Sequence, residues 1–513
     1  MAGRSLASGD LRHAQALCLE VLAAAPGIAE AHFILGAIAA SRGARAEALV
    51  AFDRALEARP GFVQALAQKA RVLDALGRRE EAVEVAQIAA GAQDAYTLDT
   101  IGVVMTRAGL HERSIEFYGR AAAIANAPGY WYNYASALQF VGRFDEARAA
   151  FRACLNGDPR HGPAWASLVQ ITRQTREANE IAPLTRIAER SGADPQAMLA
   201  LGHALAKAHE DLGQETEAMD WLMRAKAAMR HRHDPRADSA LFAAAEQSAS
   251  LTPVQGYAGA APIFVVGMPR TGTTLVDRIL TSHSLVDSAG ELSTFSEALQ
   301  RATGVLPEGL ISHELIVRAA AVEADVVGRD YMAAVKGALG FEGRFVDKLP
   351  LNVFLAPLIL RALPDARVIC LRRHPADAVL SNYRQNFARG AVLLDYVFDL
   401  EATATYYVFW DRMVKRFAAT LPSHRFCEVA YEDIVANLDG EVRRLLEFSG
   451  LEFEAACVNF QDNAAPVATA SAAQVRQPIY ASSVGRWRKY RPAMDSALRI
   501  LVEAGVMDRA ELA

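Results

Sequence analysis

The 513-residue sequence lacks the features of several protein classes. Its five cysteines are scattered without a Cys-x-x-Cys pair, so we expect reduced thiols and neither a disulfide framework nor a metal site. No apolar run approaches the length that spans a bilayer, and the first residues lack the apolar core of a signal peptide. The formal net charge of -5 implies no general affinity for nucleic acid or for an anionic membrane. Together these absences predict a cytoplasmic protein.

A glycine-rich loop in the sequence lacks the lysine of a common phosphate-binding motif. Residues 261–274 read Ala-Pro-Ile-Phe-Val-Val-Gly-Met-Pro-Arg-Thr-Gly-Thr-Thr. Gly267 and Gly272 have the spacing of a Walker A loop, but the lysine of that motif is missing. Because that lysine normally reaches the β- and γ-phosphates, its absence argues against a triphosphate ligand. The remaining glycines, hydroxyls and Arg270 suit an anion that has a 5′-phosphate and no γ-phosphate.

A pattern with a period of about 34 residues runs through roughly the first 230 residues and predicts a helical solenoid. Each repeat has a small residue followed seven positions later by glycine. The first lets two helices approach closely, and the second ends the first helix in a left-handed conformation. The pairs are Gly36/Gly43, Ala70/Gly77, Gly102/Gly109, Ala135/Gly142 and, more weakly, Ala206/Gly213. A small residue near the start of the second helix follows each time, at Ala48, Ala82, Ser114, Ala147 and Ala218.

These repeats resemble the tetratricopeptide repeat, and residues 44–52 and 143–151 are good matches to its second helix. The resemblance implies a concave face that binds a peptide or protein. Trp131, Tyr132 and Tyr134 are equally compatible with such a groove and with packing between helices. The alternative is that the array only stabilises the rest of the chain.

Strands alternate with helices in the second half of the sequence. Residues 263–266 predict a buried strand that leads through the glycine-rich loop into a helix, which together form an anion cradle. A second strand–turn–helix unit lies at 366–383. In one parallel sheet, the two turns can meet at the carboxyl edge. We therefore predict a multidomain chain: an all-α solenoid at 1–235, a linker at 236–260 and an α/β parallel-sheet domain at 261–513.

The second half resembles nucleotide-dependent sulfotransferases, most closely the tyrosylprotein sulfotransferases and bacterial repeat-bearing relatives. The resemblance implies that 3′-phosphoadenosine 5′-phosphosulfate (PAPS) is the donor and that no metal is needed. A peptide tyrosine, a saccharide hydroxyl and a small phenol are all compatible as acceptors, and the repeats favour a peptide, protein or saccharide chain. The loop that would bind the 5′-phosphosulfate consists of Pro269, Arg270, Thr271, Gly272, Thr273 and Thr274. Arg373 and Ser381 match the 3′-phosphate site of these enzymes. The missing lysine fits a donor without a γ-phosphate.

The resemblance also implies the catalytic residues. Glu291 would be the general base, in a partly buried position that raises its pKa, and Arg270 and Lys348 would neutralise charge on the transferred group. His283 is the competing base, because small-molecule sulfotransferases use a histidine, although a histidine at the end of a helix also complements the helix dipole. Arg372 is the alternative to Arg373, since successive strand residues point to opposite faces.

The C-terminal region resembles a segment that folds over the nucleotide. Ser471, Arg476 and Arg486 are the candidate donor-binding residues there. The sequence departs from the family at Thr271, where serine is commoner, and after Glu291, where the animal enzymes have a second glutamate.

Two other functions are compatible with the sequence. The first is a P-loop kinase or nucleotide hydrolase, which the missing lysine and the absence of a clear Walker B acid disfavour. The second is a repeat scaffold whose sulfotransferase-like domain is inactive, which the intact loop and the Arg373–Ser381 pair disfavour.

Overall fold

A computed structural model of the protein describes residues 2–7, 9–190, 194–230, 233–259, 261–306, 309–340, 343–387, 392–463, 479 and 481–512. The chain divides into two compact units, Met1–Gln174 and Thr175–Ala513. The domain limits predicted from the sequence, at 235 and 261, stay predictions.

The first unit consists of helices. They are α1 (Ala2–Ala7), α2 (Leu11–Ala24), α3 (Ala29–Ser41), α4 (Arg45–Ala58), α5 (Val63–Ala75), α6 (Arg79–Ile88), α7 (Ala95–Arg107), α8 (His111–Ala125), α9 (Pro128–Val141), α10 (Phe144–Gly157) and α11 (Gly162–Gln170). The predicted small residues bring paired helices together: a Cβ added at Gly102 of α7 would lie 2.7 Å from the Tyr118 ring of α8. Gly109, which ends α7, has a φ of 80°, as predicted for a left-handed terminator.

The aromatic residues at the start of α9 pack between helices. The Tyr132 ring lies 6.0 Å from that of Phe151 on α10 and 4.9 Å from that of His161. A Cβ added at Gly119 of α8 would lie 3.2 Å from the Tyr134 ring. Of the two possibilities that the sequence left open, the contacts of Tyr132 and Tyr134 favour packing.

The second unit begins with four helices: α12 (Ile181–Arg190), α13 (Pro195–Asp211), α14 (Glu215–Ala227) and α15 (Pro235–Ser248). The fifth repeat signature forms the α13–α14 hairpin, where a Cβ added at Gly202 would lie 2.4 Å from Ala225. Helix α15 lies mainly in the segment predicted to be a linker. Its Phe242 is fully buried, with ring centroids 5.0 Å from Phe354 and 4.9 Å from Tyr406.

Five strands follow: β1 (Ile263–Gly267), β2 (Val286–Gly290), β3 (Arg344–Asp347), β4 (Arg367–Arg372) and β5 (Phe426–Ala430). They form one sheet in the order β2-β3-β1-β4-β5, and every pairing is parallel. Strand β1 is central because all five of its residues are apolar or glycine and buried. This arrangement confirms the predicted parallel-sheet domain, and it places the ends of β1 and β4 side by side.

Helices cover both faces of the sheet. They are α16 (Thr273–Leu280), α17 (Thr294–Thr303), α18 (His313–Ala319), α19 (Ala324–Leu339), α20 (Ala356–Ala362), α21 (Pro375–Tyr383), α22 (Leu400–Thr420), α23 (Tyr431–Ala436), α24 (Leu438–Ser449), α25 (Ala455–Val458) and α26 (Arg491–Glu503). Ile263 and Val265 of β1 pack into an aliphatic core with α16 and α24. Phe264 points to the other face, with its ring 5.7 Å from that of Tyr331.

Candidate active site at the carboxyl edge of the sheet

Four adjacent strands end next to residues that the sequence singled out. Glu291 follows β2, Lys348 follows β3, the glycine-rich loop follows β1 and Arg373 follows β4. Because parallel strands end at the same edge, residues more than a hundred positions apart in sequence come together. The two turns are in direct contact, since Nη1 of Arg373 donates to the carbonyl oxygen of Arg270 at 3.1 Å.

The glycine-rich loop needs glycine at both ends. Gly267 has a φ of 151°, and a Cβ there would lie 2.7 Å from the carbonyl oxygen of Leu371. Gly272 has a φ of 108°, and a Cβ there would lie 2.8 Å from the Tyr431 ring. Any larger residue would therefore meet both backbone strain and a steric clash. The spacing that suggested the loop thus has a steric cause.

Internal hydrogen bonds fix the loop between its glycines. The Thr271 hydroxyl donates to the carbonyl oxygen of Met268 at 2.7 Å, and Nδ2 of Asn382 donates to that of Pro269 at 2.7 Å. Arg270 has a φ of 66°, a left-handed conformation that is uncommon for a residue with a side chain. Such strain persists where surrounding contacts impose it, and it is concentrated at functional sites. Thr273 and Thr274 follow at the start of α16, and both are buried.

Arg373 lies in a polar setting without a carboxylate partner among the described residues. Its Nη1 is 3.4 Å from the Ser381 hydroxyl, and its Nη2 donates to the carbonyl oxygen of Ser483 at 2.5 Å. Its guanidinium carbon lies 5.1 Å from the centre of the Tyr431 ring. Its Nε is buried and has no hydrogen-bond partner in the described part of the chain. Arg373 and Ser381 are therefore close together, as the sequence predicted.

Arg372 has the opposite environment. It donates to Glu428 at 2.5 Å and also to Asp411, and its guanidinium packs over the Trp410 ring. Burial lowers the pKa of Arg372, but Tyr407, Glu428 and Asp411 together outweigh burial and raise it. The charge of Arg372 is thus neutralised within the fold by Glu428 and Asp411.

Lys348 and Glu291 form a pair across the ends of β3 and β2. Nζ of Lys348 donates to Oε1 of Glu291 at 2.5 Å, and the Lys348 side chain is only 2% exposed. The backbone N–H of Lys348 donates to the carbonyl oxygen of Gly290 at 2.8 Å, which ties the two strand ends together. Partial burial is the expectation for Glu291, and its side chain is 45% exposed.

Two buried aspartates behind Lys348 were missed by sequence reasoning. Burial raises the pKa of Asp347 to about 7, although the Tyr331 hydroxyl donates to it at 3.0 Å. Burial raises the pKa of Asp277 to about 6, although Lys348 and a 3.0 Å hydrogen bond from Ser288 oppose the change. Their positions in the sequence could have indicated them as site residues, because Asp347 directly precedes Lys348 and Asp277 lies on α16 one turn after Thr273.

His283 is held by the chain around it. The backbone N–H of Leu285 donates to its Nδ1 at 3.1 Å, so the ring proton lies on Nε2, which donates to the carbonyl oxygen of Glu452 at 3.1 Å. The ring is 4% exposed, and Oε1 of Glu454 lies 3.5 Å from Nε2. Both ring nitrogens therefore have structural partners.

The three C-terminal candidates have different positions. Ser471 and Arg476 lie outside the described residues. Arg486 lies in a turn that Asp377 of α21 fixes, since the backbone N–H groups of Gly485 and Trp487 donate to this carboxylate at 2.6 and 2.8 Å. The pattern gave no indication of Asp377, because its partners lie more than a hundred residues away.

Comparisons with known proteins agree with this geometry. The model of the "Sulfotransferase family" matches residues 262–455, a span that begins at β1 and includes Arg270, Glu291, Lys348 and Arg373. The "Tetratricopeptide repeat" model matches residues 128–161, which contain α9 and α10. Residues 262–455 are thus similar to the sulfotransferase family, and residues 128–161 are similar to the tetratricopeptide repeat.

Individual relatives are distant. An uncharacterized protein of Aquifex aeolicus (strain VF5) is 34% identical over 260 residues, which are 48% of this chain and 33% of the relative. The chain thus spans about a third of the length of this curated relative.

Two solved structures show weak similarity. The sulfotransferase domain of the Synechococcus PCC 7002 olefin synthase is 18% identical, with 50% of this chain and 98% of that one covered and a TM-score of 0.35. A thermophilic TPR protein of Thermus thermophilus is 20% identical, with 33% and 94% covered and a TM-score of 0.29.

Two further findings concern the described residues alone. None of their helices combines the length and the apolar character needed to cross a bilayer. Their histidine, cysteine, aspartate and glutamate side chains form no group of three or more arranged to hold a metal ion.

Proposed function

We propose that the sulfotransferase-family domain transfers a sulfuryl group from PAPS to an acceptor hydroxyl. The observation that carries this proposal is the Lys348–Glu291 pair, which lies at the ends of β3 and β2 beside the anion loop of β1. A buried ammonium group beside a half-exposed carboxylate offers charge neutralisation and proton acceptance at one place.

The residues of the β1 and β4 ends fit the two phosphate groups of this donor. The loop at 269–274 leads into α16, whose N-terminus favours an anion. Among the described residues, the partners of Arg373 are neutral and its buried Nε has none, so its charge is available to a second anion. Ser381 lies within reach of the same guanidinium group. A donor with separated 5′ and 3′ phosphates requires two such sites.

The chain's own groups supply the catalysis. PAPS would supply the activated sulfuryl group. Lys348 and Arg270 would neutralise the charge that develops on the group in transit, and Glu291 would accept the proton of the acceptor hydroxyl. The half-exposed position of Glu291 supports this role, because an acceptor can reach it. The hydrogen bonds on both nitrogens of His283 disfavour the histidine as the base.

The repeats would bind a peptide or protein, either the acceptor or a partner. A polar surface on α7 and α9 supports this. Nδ2 of Asn133 donates to Asp99 at 2.8 Å, and Tyr96 is 55% exposed. Stacked repeats present such residues along one continuous face.

Calorimetry with adenosine 3′,5′-bisphosphate and with Mg²⁺-ATP tests the donor site. We expect binding of the bisphosphate and at least about a hundredfold weaker binding of ATP, a difference of about 2.7 kcal/mol. Preferential binding of Mg²⁺-ATP would instead support a kinase or hydrolase. Transfer of radiolabelled sulfate from PAPS to tyrosine peptides, saccharides or phenols then tests the reaction. If the bisphosphate binds and no acceptor in a whole-cell lysate is labelled, the domain is an inactive scaffold.

A further inference from the structure

A buried carboxylate on the last repeat-type hairpin is connected to the candidate donor site. Glu210 lies near the end of α13, and its side chain is 7% exposed. Arg384, directly after α21, donates to both of its oxygens, through Nε at 2.5 Å and through Nη2. The Tyr490 hydroxyl donates to Oε1 at 2.7 Å. Glu210 therefore joins the hairpin to two separate segments of the sulfotransferase-family domain.

Arg486 is the fourth member of this cluster. Its Nη2 lies 3.4 Å from Oε2 of Glu210, and its side chain is 36% exposed. Burial raises the pKa of Glu210, but Arg384 and Arg486 outweigh burial and hold it below its usual value. One carboxylate thus faces two guanidinium groups. Since Arg384 already neutralises Glu210, the charge of Arg486 is left for an anion that reaches its exposed side.

The backbone of Arg486 is held next to Arg373 by other contacts. Asp377 accepts hydrogen bonds from the N–H groups on either side of it, at Gly485 and Trp487. The carbonyl oxygen of Ser483 accepts from Nη2 of Arg373 at 2.5 Å. These contacts fix where the Arg486 side chain begins but not where it points. Among its described contacts, Glu210 is the acidic one that sets the direction.

A second contact keeps the hairpin in place. Lys226 of α14 is buried, and its Nζ donates to the carbonyl oxygens of Gln385 and Val397 at 3.2 and 3.0 Å. Gln385 directly follows Arg384, the partner of Glu210. The hairpin is thus attached at two points to the chain that follows α21, and the position of Glu210 is well determined.

We propose that Glu210 is a positioning residue that directs Arg486 toward the 3′-phosphate of the donor, and that the α13–α14 hairpin is therefore a part of the donor site. This inference rests on the proposed function, because it needs a donor with a 3′-phosphate. A side chain that is already ordered loses less conformational entropy when the ligand binds.

The test compares adenosine 3′,5′-bisphosphate with adenosine 5′-monophosphate, which lacks the 3′-phosphate, by calorimetry on the full chain. We expect Glu210→Gln to weaken bisphosphate binding by about three- to tenfold, as for one side chain that must be ordered on binding. The monophosphate affinity should not change. Glu215→Gln is the matched control: Glu215 is on the same hairpin and lies 3.9 Å from Lys489, without contact to Arg486. It should leave both affinities unchanged.

A double-mutant cycle separates positioning from general damage. In an Arg486→Ala background, Glu210→Gln should have no further effect on bisphosphate binding, because the side chain that it positions is gone. If Glu210→Gln leaves Arg384 buried without a partner and lowers the melting temperature strongly, the Glu210→Gln/Arg384→Gln double variant removes both charges. It should show the same selective loss.

The outcomes distinguish this inference from the proposed function. A wild-type protein that does not bind the bisphosphate overturns the proposed function and the inference with it. A wild-type protein that binds the bisphosphate, while Glu210→Gln retains its full preference over the monophosphate, overturns the inference alone. Tighter bisphosphate binding by Glu210→Gln also overturns it, since Glu210 would then compete with the phosphate for Arg486.

Discussion

The β1–β4 half and the β2–β3 half of the sheet's carboxyl edge both present a basic side chain, but the partners of that side chain differ. On the β1–β4 half, Arg373 bonds the carbonyl oxygens of Arg270 and Ser483. On the β2–β3 half, Lys348 bonds the carboxylate of Glu291, and Asp277 and Asp347 are buried nearby. One half thus has a positive charge with neutral partners, and the other has a positive charge among acids.

This difference separates two tasks. A guanidinium group with neutral acceptors keeps its full charge for a phosphate, so the β1–β4 half is suited to hold an anion. An ammonium group paired with an accessible carboxylate is suited to chemistry in which a proton leaves as negative charge moves. If the division is correct, changes on the β2–β3 half should lower turnover, and changes on the β1–β4 half should lower donor affinity.

The largest expected effect is that of Glu291→Gln. The amide keeps the size of the side chain but cannot accept the proton of an acceptor hydroxyl. We expect the turnover number to fall by about 10²- to 10⁴-fold, the usual contribution of a general base. Binding of adenosine 3′,5′-bisphosphate should be unchanged. The rate is measured with the acceptor that becomes labelled by PAPS.

Glu297→Gln is the control for that variant, because Glu297 is a nearby exposed glutamate whose described partner is the Ser293 hydroxyl. It should retain full activity. Undiminished turnover of Glu291→Gln would show that the base lies elsewhere, and His283→Gln would then be the next variant to measure.

The second-largest expected effect is that of pH on the stability of the folded protein. Burial raises the pKa of Asp277 to about 6, so the folded state binds this proton more tightly than the unfolded state. The protonated carboxyl group of Asp277 stabilises the folded state. This contribution to the free energy of unfolding is complete below an ordinary aspartate pKa of about 4 and is lost as the pH rises through 6. Wild type should lose about 3 kcal/mol over this range relative to Asp277→Asn, an order of magnitude taken from about 1.36 kcal/mol per pKa unit.

Melting temperatures of the two proteins between pH 4 and pH 7 check this expectation. Asp287→Asn is the control, because Asp287 is an exposed residue of β2. Its melting curve should run parallel to that of wild type. If the Asp277→Asn curve is also parallel to wild type, the carboxyl group of Asp277 is ionised at the same pH in both states.

The edge of the sheet was predictable because its signals are local. Gly267 and Gly272 are required by backbone conformation and close contacts, and the apolar strand before them is readable as a run of buried residues. The same holds for the Arg373 turn and for the repeat glycines, which have positive φ as predicted. Local rules of this kind depend on a few neighbouring residues.

Other features depend on contacts between distant segments. Glu291 pairs with Lys348, which lies 57 residues away along the chain. The place of Arg486 follows from Asp377 and Glu210, the latter 276 residues away. The periodic pattern of a sequence gives no information on contacts between residues this far apart. Glu210 lies in a helix with the pattern of an ordinary repeat, so its contact with Arg486 was not predictable from that pattern.

On the β1–β4 half, Arg373→Ala should weaken binding of adenosine 3′,5′-bisphosphate by about ten- to a hundredfold. A hydrogen bond to a charged group contributes about 1.5–3 kcal/mol, which corresponds to a loss of this size. Adenosine 5′-monophosphate should bind about as well as to wild type. Arg412→Ala is the control, because Arg412 is 57% exposed and pairs with Glu246 on α15. A uniform loss for both nucleotides would mean that Arg373 supports the loop at 269–274 through the carbonyl of Arg270, not the 3′-phosphate.

The smallest expected effect concerns Thr271, in the middle of the glycine-rich loop. Its hydroxyl bonds the carbonyl oxygen of Met268 at 2.7 Å, and the residue is fully buried. Thr271→Val keeps the shape but leaves that carbonyl without its donor, so we expect a loss of about 1–2 kcal/mol in stability. Thr271→Ser keeps the donor and removes only a methyl group, so its loss of stability should be smaller. Its affinity for adenosine 3′,5′-bisphosphate should equal that of wild type. A larger loss for Thr271→Ser than for Thr271→Val, measured as melting temperatures, would instead assign the role of Thr271 to its methyl group.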